Sequence, residues 1–146
     1  MQDVIAEFER TIEASYDQLA KFTEAESAEP RSIGKWSRKQ IIGHLIDSAS
    51  NNHQRFVRAQ LADNISLPGY EQEAWNKCQQ YQSESWANLL QLWKSYNTHL
   101  LHIVSHIPED KLDNLCTVGN NEPVTLRFLA GDYVEHMKKH LGQALG

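Results

Sequence analysis

Asp132-Tyr-Val-Glu-His136-Met-Lys-Lys-His140-Leu-Gly-Gln143 is the stretch around which the 146-residue chain is organised. Leu126, Ala130, Tyr133, Met137, Leu141 and Ala144 recur through it and its flanks at three- and four-residue spacing, the period of an amphipathic helix. Thr125 stands where a cap would start that helix. His136 and His140 are four residues apart and so lie one turn above each other on one face. A helix offers two imidazoles to one metal ion at this spacing, and interior histidines that only hydrogen-bond also occur at it. The rest of the chain has to decide between the two.

Working back from this helix, three more segments carry the same period. The first runs from about Asp3 to Lys21, with Val4, Ile5, Phe8, Ile12, Leu19 and then Phe22 on one side. Residues 24–35 read as a connection. The second helix begins at a capping box, Ser37-Arg-Lys-Gln40, with Trp36 as an apolar staple, and continues to about Ala62. Ile41, Ile42, Leu45, Ala49, Asn52 and Phe56 form its inner face, and His44, Ser48, Asn51 and Arg55 form a polar stripe at the edge. The third runs from about Glu84 to His106, stopped by Pro108, with Trp86, Leu89, Trp93, Leu100 and Val104 inward. Residues 63–82, with Pro68-Gly69, Tyr70 and Trp75, form a long connection with a short helix around Glu71 to Cys78, and 109–123 form another. No strand alternation and no internal repeat is evident. Four helices of this length predict an all-α, four-helix bundle in a single domain, 1–146.

Composition narrows the function. Forty per cent hydrophobic and 23% charged residues fit a globular protein, and a net charge of -5 with no Lys/Arg run argues against nucleic acid as a partner. Cys78 and Cys116 form no metal-binding or redox pattern. The opening Met1-Gln-Asp-Val-Ile-Ala-Glu has no basic segment before an apolar run, and no apolar stretch reaches about 18 residues, so no membrane association and a reduced, cytoplasmic protein are expected.

Seven histidines each have a plain alternative. His99, His102 and His106 fall away from the apolar stripe of the third helix and read as a surface row. His53 points roughly opposite His44, so the two cannot share a site. His136 and His140 flank the core face of the last helix. His44, at the margin of the second, is the third candidate ligand. Three protein ligands leave positions open for water or substrate, the arrangement of a catalytic rather than a structural site. Asp47 could orient a ligand or hold a water, or be a solvated carboxylate.

Lys35-Trp36-Ser37, Ile42-Gly43-His44-Leu45-Ile46-Asp47-Ser48, Asn52 and Arg55-Phe56 resemble the second helix of the DinB/YfiT-like superfamily. Pro68-Gly69-Tyr70-Glu71-Gln72 with Trp75 resembles the loop that follows it there, and Thr125-Leu126, Tyr133, His136 and His140-Leu141-Gly142-Gln143 resemble its last helix. The resemblance covers most of the chain after Lys35. It implies an up-down-down-up bundle, often a homodimer, and a divalent metal such as zinc or nickel on His44, His136 and His140. It further implies a small-molecule substrate, with some relatives similar to S-transferases or isomerases that use a low-molecular-weight thiol such as bacillithiol or mycothiol, and others similar to metal-dependent hydrolases.

Local residues weigh on that choice. A hydrolase needs a general base beside the metal water, yet Met137, Lys138 and Lys139 separate the two histidines, and Asp47 is the one carboxylate at hand. A thiolate mechanism needs the base less, because the metal itself stabilises the thiolate. Arg55 reads as an anion clamp or as half of a flank salt bridge, and Tyr70 and Trp75 as pocket walls or core. Trp36, Trp86 and Trp93 read as core. The expectation is a metal-dependent thiol S-transferase, with a hydrolase or a non-enzymatic, metal-stabilised binding module as the alternatives.

Overall fold

A computed structural model describes residues 1–146. Its long helices are α1 (Gln2–Leu19), α3 (Arg38–Arg58), α5 (Trp86–Ser105) and α6 (Leu126–Leu145); α2 (Glu24–Ala28) and α4 (Gln72–Cys78) are short. The caps are those the sequence offers. Ser37 accepts from the Gln40 amide while the Gln40 side chain takes the Ser37 amide, and Ser85 and Thr125 cap α5 and α6. The expected connection at 24–35 hides α2, which has its own capping box of Thr23 and Glu26. The second long helix ends at Arg58 rather than Ala62, with a turn following Ala59.

A sheet absent from the sequence reading closes one end of the bundle. Strands β1 (Asn64–Leu67), β2 (Leu115–Val118) and β3 (Val124–Thr125) pair in that order, β1 parallel to β2 and β2 antiparallel to β3. Strands this short show no readable alternation. Because β1 follows α3 and β2 follows α5, their parallel pairing brings the C-terminal ends of both helices together, while β3 leads into the start of α6. At the other end the Trp86 indole donates to the Leu19 carbonyl, so α5 starts where α1 finishes. The order is up-down-down-up.

Phe8, Ile12, Ile42, Leu45, Phe56, Leu89, Trp93, Leu100, Leu129, Tyr133 and Met137 belong to one continuous core. Trp86 and Trp93 are buried in it as expected; Trp36 is only half-buried, packed on the edge of the core with its ring against His44, and Trp75 is exposed. Glu24 binds the buried Lys39 ammonium and also accepts from the Trp86 amide, so α2 joins the starts of α3 and α5. Arg31 and Arg38 donate to the last carbonyls of α6, at Gln143 and Ala144. Cations there complement the negative end of the helix and fasten it to the entry of α3.

Candidate metal centre

That fastening sets the start of α3 beside the end of α6. His44, His136 and His140 meet there, each able to place a ring nitrogen within 4.8 Å of the others'. The Nε2 atoms of His44 and His136 are 3.4 Å apart. Two nitrogens bound about 2.0–2.1 Å from one tetrahedral ion stand about 3.3 Å from each other. The spacing therefore suits a shared ion without rearrangement.

Hydrogen bonding and burial prepare the same three nitrogens. Nδ1 of His140 lies 3.0 Å from Gln143 Oε1; facing an amide oxygen it donates its proton, which leaves Nε2 as the basic atom. His44 is almost fully buried and its Nδ1 has no partner. Burial, reinforced by His140 and His136, holds its pKa down to about 4. Burial also lowers His136 and His140. Three neutral imidazoles at ordinary pH are ready donors, because no proton has to leave before a metal binds. Trp36 covers this group with its ring 5.2 Å from that of His44.

Asp47 follows His44 by three residues on α3 and is held by two neighbours. It is buried, and its Oδ1 accepts from the Tyr81 hydroxyl at 2.6 Å and from Gln79 Nε2 at 2.7 Å. Its Oδ2 has no hydrogen-bond partner, and none of the three histidines bonds to it. Burial pushes its pKa up, against the two donors that lower it. Tyr81 in turn lies flat against Gly43: a Cβ at that position would stand 2.1 Å from the ring.

A cleft of about 180 Å³ opens beside His136, walled by Ser48, Asn52, Tyr70, Asp132 and Arg55. Arg55 is half-buried, forms no ion pair, and makes one long hydrogen bond, 3.4 Å to Asn52 Oδ1. The salt-bridge alternative for this residue is thus absent. Tyr70 walls the cleft as the sequence suggests, and Trp75 packs on Tyr70 from outside, ring centroids 5.1 Å apart. A larger cleft of about 450 Å³, reaching from Trp36 to Gln82, contains none of the three histidines. His99, His102 and His106 are exposed, as read, and His53 bonds to Tyr96 on the far side of α3. Sequence reasoning gave no role to Gln143, Tyr81 or Gln79, whose contacts depend on side-chain direction across elements.

Fold and cluster together define a class: a helical bundle with a group of three histidines, spaced so that they could hold one metal ion, between two of its helices. The chain belongs to the DinB superfamily, whose family model matches residues 7–144. It is 20% identical over 142 residues to "Putative metal-dependent hydrolase YfiT" of Bacillus subtilis, covering 97% of this chain and 76% of that protein. A protein of Bacillus mycoides with the same descriptive name is 33% identical over 46 residues, which is 27% of its length. In three dimensions YfiT, described as having an unusual four-helix bundle topology, matches with a TM-score of 0.87 at 20% identity, over 98% of this chain and 82% of YfiT. A mycothiol-dependent maleylpyruvate isomerase matches with a TM-score of 0.76 at 13% identity, and the chain spans 58% of its length. No helix of this chain is long and apolar enough to cross a membrane.

Proposed function

We propose that His44, His136 and His140 hold one divalent ion, zinc or nickel, and that the protein is a thiol S-transferase. The observation that carries the reading is the convergence of three neutral imidazoles beside a cleft that ends on an unpaired arginine. Such an ion supplies Lewis acidity that lowers the pKa of a thiol reaching it. The chain's own part is orientation. Gln143 fixes the His140 tautomer, Trp36 limits water over His44, and Arg55 grips a carboxylate or phosphate of the acceptor from the cleft. Asp47 acts as a positioning residue that holds Tyr81 and Gln79 against α3. In the net reaction the thiol S–H breaks and an S–C bond forms at an electrophilic carbon. In an addition, a C=C π bond opens and its other carbon takes the proton; in a displacement, the leaving group departs with the bonding pair and the proton goes to it or to solvent. Hydrolysis, which the relatives' names suggest, is the alternative reading: the one buried carboxylate, Asp47, has Oδ1 held by Tyr81 and Gln79 and only Oδ2 left to serve as a base.

The test begins with metal content of the untagged chain by mass spectrometry, alongside His44→Ala and His140→Ala. About one tightly held ion per chain, one that survives exhaustive exchange into metal-free buffer, is expected, lost in both variants. Conjugation of low-molecular-weight thiols to anionic electrophiles is then assayed, and Arg55→Ala should raise KM for the anionic acceptor with less effect on a neutral one. A wild-type chain that takes up neither zinc nor nickel would sink the catalytic reading and leave a helical binding module.

A further inference from the structure

A second group of histidines lies at the opposite end of the bundle from the first. His99, His102 and His106 are exposed along one flank of α5, near the helix terminus that the sheet adjoins. The rings of His102 and His106 are 4.3 Å apart between centroids, and the two residues repeat the four-residue spacing of His136 and His140. Nδ1 of His106 sits 2.8 Å from the carbonyl oxygen of His102. A nitrogen facing a carbonyl carries the proton, so the Nε2 of His106 keeps its lone pair and faces outward. Histidines that ligate metals are commonly fixed by this bond to a backbone carbonyl. His106 is also the C-cap of α5, where the negative end of the helix favours a cation. Neither ring is drawn off by an acidic side chain, since all the ion pairs involve other residues.

The neighbours do not close this pair into a three-ligand cage. The ring of His99 stacks parallel to that of His102 at 6.4 Å rather than converging on it, and His53 is taken by Tyr96 at 2.8 Å. We propose that His102 and His106 form a second, weaker transition-metal site at the C-terminal end of α5. It takes one divalent ion through two imidazole nitrogens, with water in the remaining positions. Imidazole donors select borderline ions, so copper binds most tightly, ahead of nickel and zinc, and magnesium or calcium does not compete.

The experiment is equilibrium dialysis of the untagged full chain against nickel(II), in the wild type and in a His44→Ala/His140→Ala background that removes the first cluster. One equivalent is expected to remain in the double variant. His102→Ala or His106→Ala should weaken it by roughly tenfold or more, since even loss of a supporting hydrogen bond costs 10- to 100-fold. His99→Ala should leave it unchanged, and circular dichroism should show the His99, His102 and His106 variants as helical as the background they are made in, because these three rings are at the surface. No nickel retained in the double variant would overturn the proposal. So would an equivalent that survives both substitutions, or one that depends on His99 and not on His106. The readout is independent of whether the first cluster is catalytic.

Discussion

Gln143 accepts one hydrogen bond, from His140, and through it decides which nitrogen of that ring faces the other two. Gln143→Ala should therefore weaken metal binding by roughly 10- to 100-fold while the helical signal is unchanged, measured by competition with a chromophoric chelator. Equal affinity in the variant would mean that packing alone holds the ring. Protonation gives a second expectation. In the unfolded chain His44 takes up a proton below about 6.5, whereas the folded chain, with its pKa at about 4, does not. Between those values the unfolded state binds more protons, so the metal-free protein should lose stability as pH falls from about 6.5 toward 4. Urea midpoints at pH 7 and 5 check this, and His44→Gln should flatten the difference. An identical slope in the variant would assign the effect elsewhere. The three converging histidines were legible in the sequence through helical spacing and family resemblance. The partners of Asp47 were not, because Tyr81 reaches it from an element more than thirty residues further along the chain.

At the scale of elements, α3 depends on its contact with the Tyr81 segment. Gly43→Ala would force the Tyr81 ring off the helix, at an expected cost of about 1–3 kcal/mol in overpacking, readable by thermal unfolding. Tyr81→Phe keeps the ring and removes only the hydroxyl, so it should be milder unless the Asp47 hydrogen bond dominates. Ser37→Ala removes the cap that starts α3 and should cost about 1 kcal/mol. That cap also shows why starts were easier to read than stops. Ser37 with Gln40, and Thr125, announce α3 and α6, but Ala59-Gln-Leu-Ala62 contains no glycine or proline, so the period alone carried α3 past its end. The strands left still less trace: each of their two or four residues is defined by a partner from a distant segment, not by its own pattern.

For the molecule as a whole, the histidine cluster and the sheet fasten opposite ends of the bundle. An ion that binds only the folded cluster should raise stability by about 2.7 kcal/mol when free metal is about 100 times Kd, and chelation should reverse the gain. A melting temperature indifferent to both would count against an interhelical site. The parallel pairing of β1 with β2 has a kinetic consequence. Its register sets Asn64 against Leu115, and the His44–His136 contact spans 92 residues. Helical bundles usually fold fast because their contacts are local in sequence, whereas each of these closures must wait for most of the chain to be in place. Stopped-flow refolding should thus be slower than for an up-and-down bundle of equal length. Leu115→Pro, which removes the amide that donates to the Asp63 carbonyl at the first rung of the β1–β2 ladder, should lower the refolding rate as well as raise the unfolding rate, marking the sheet as part of the closure that sets the pace.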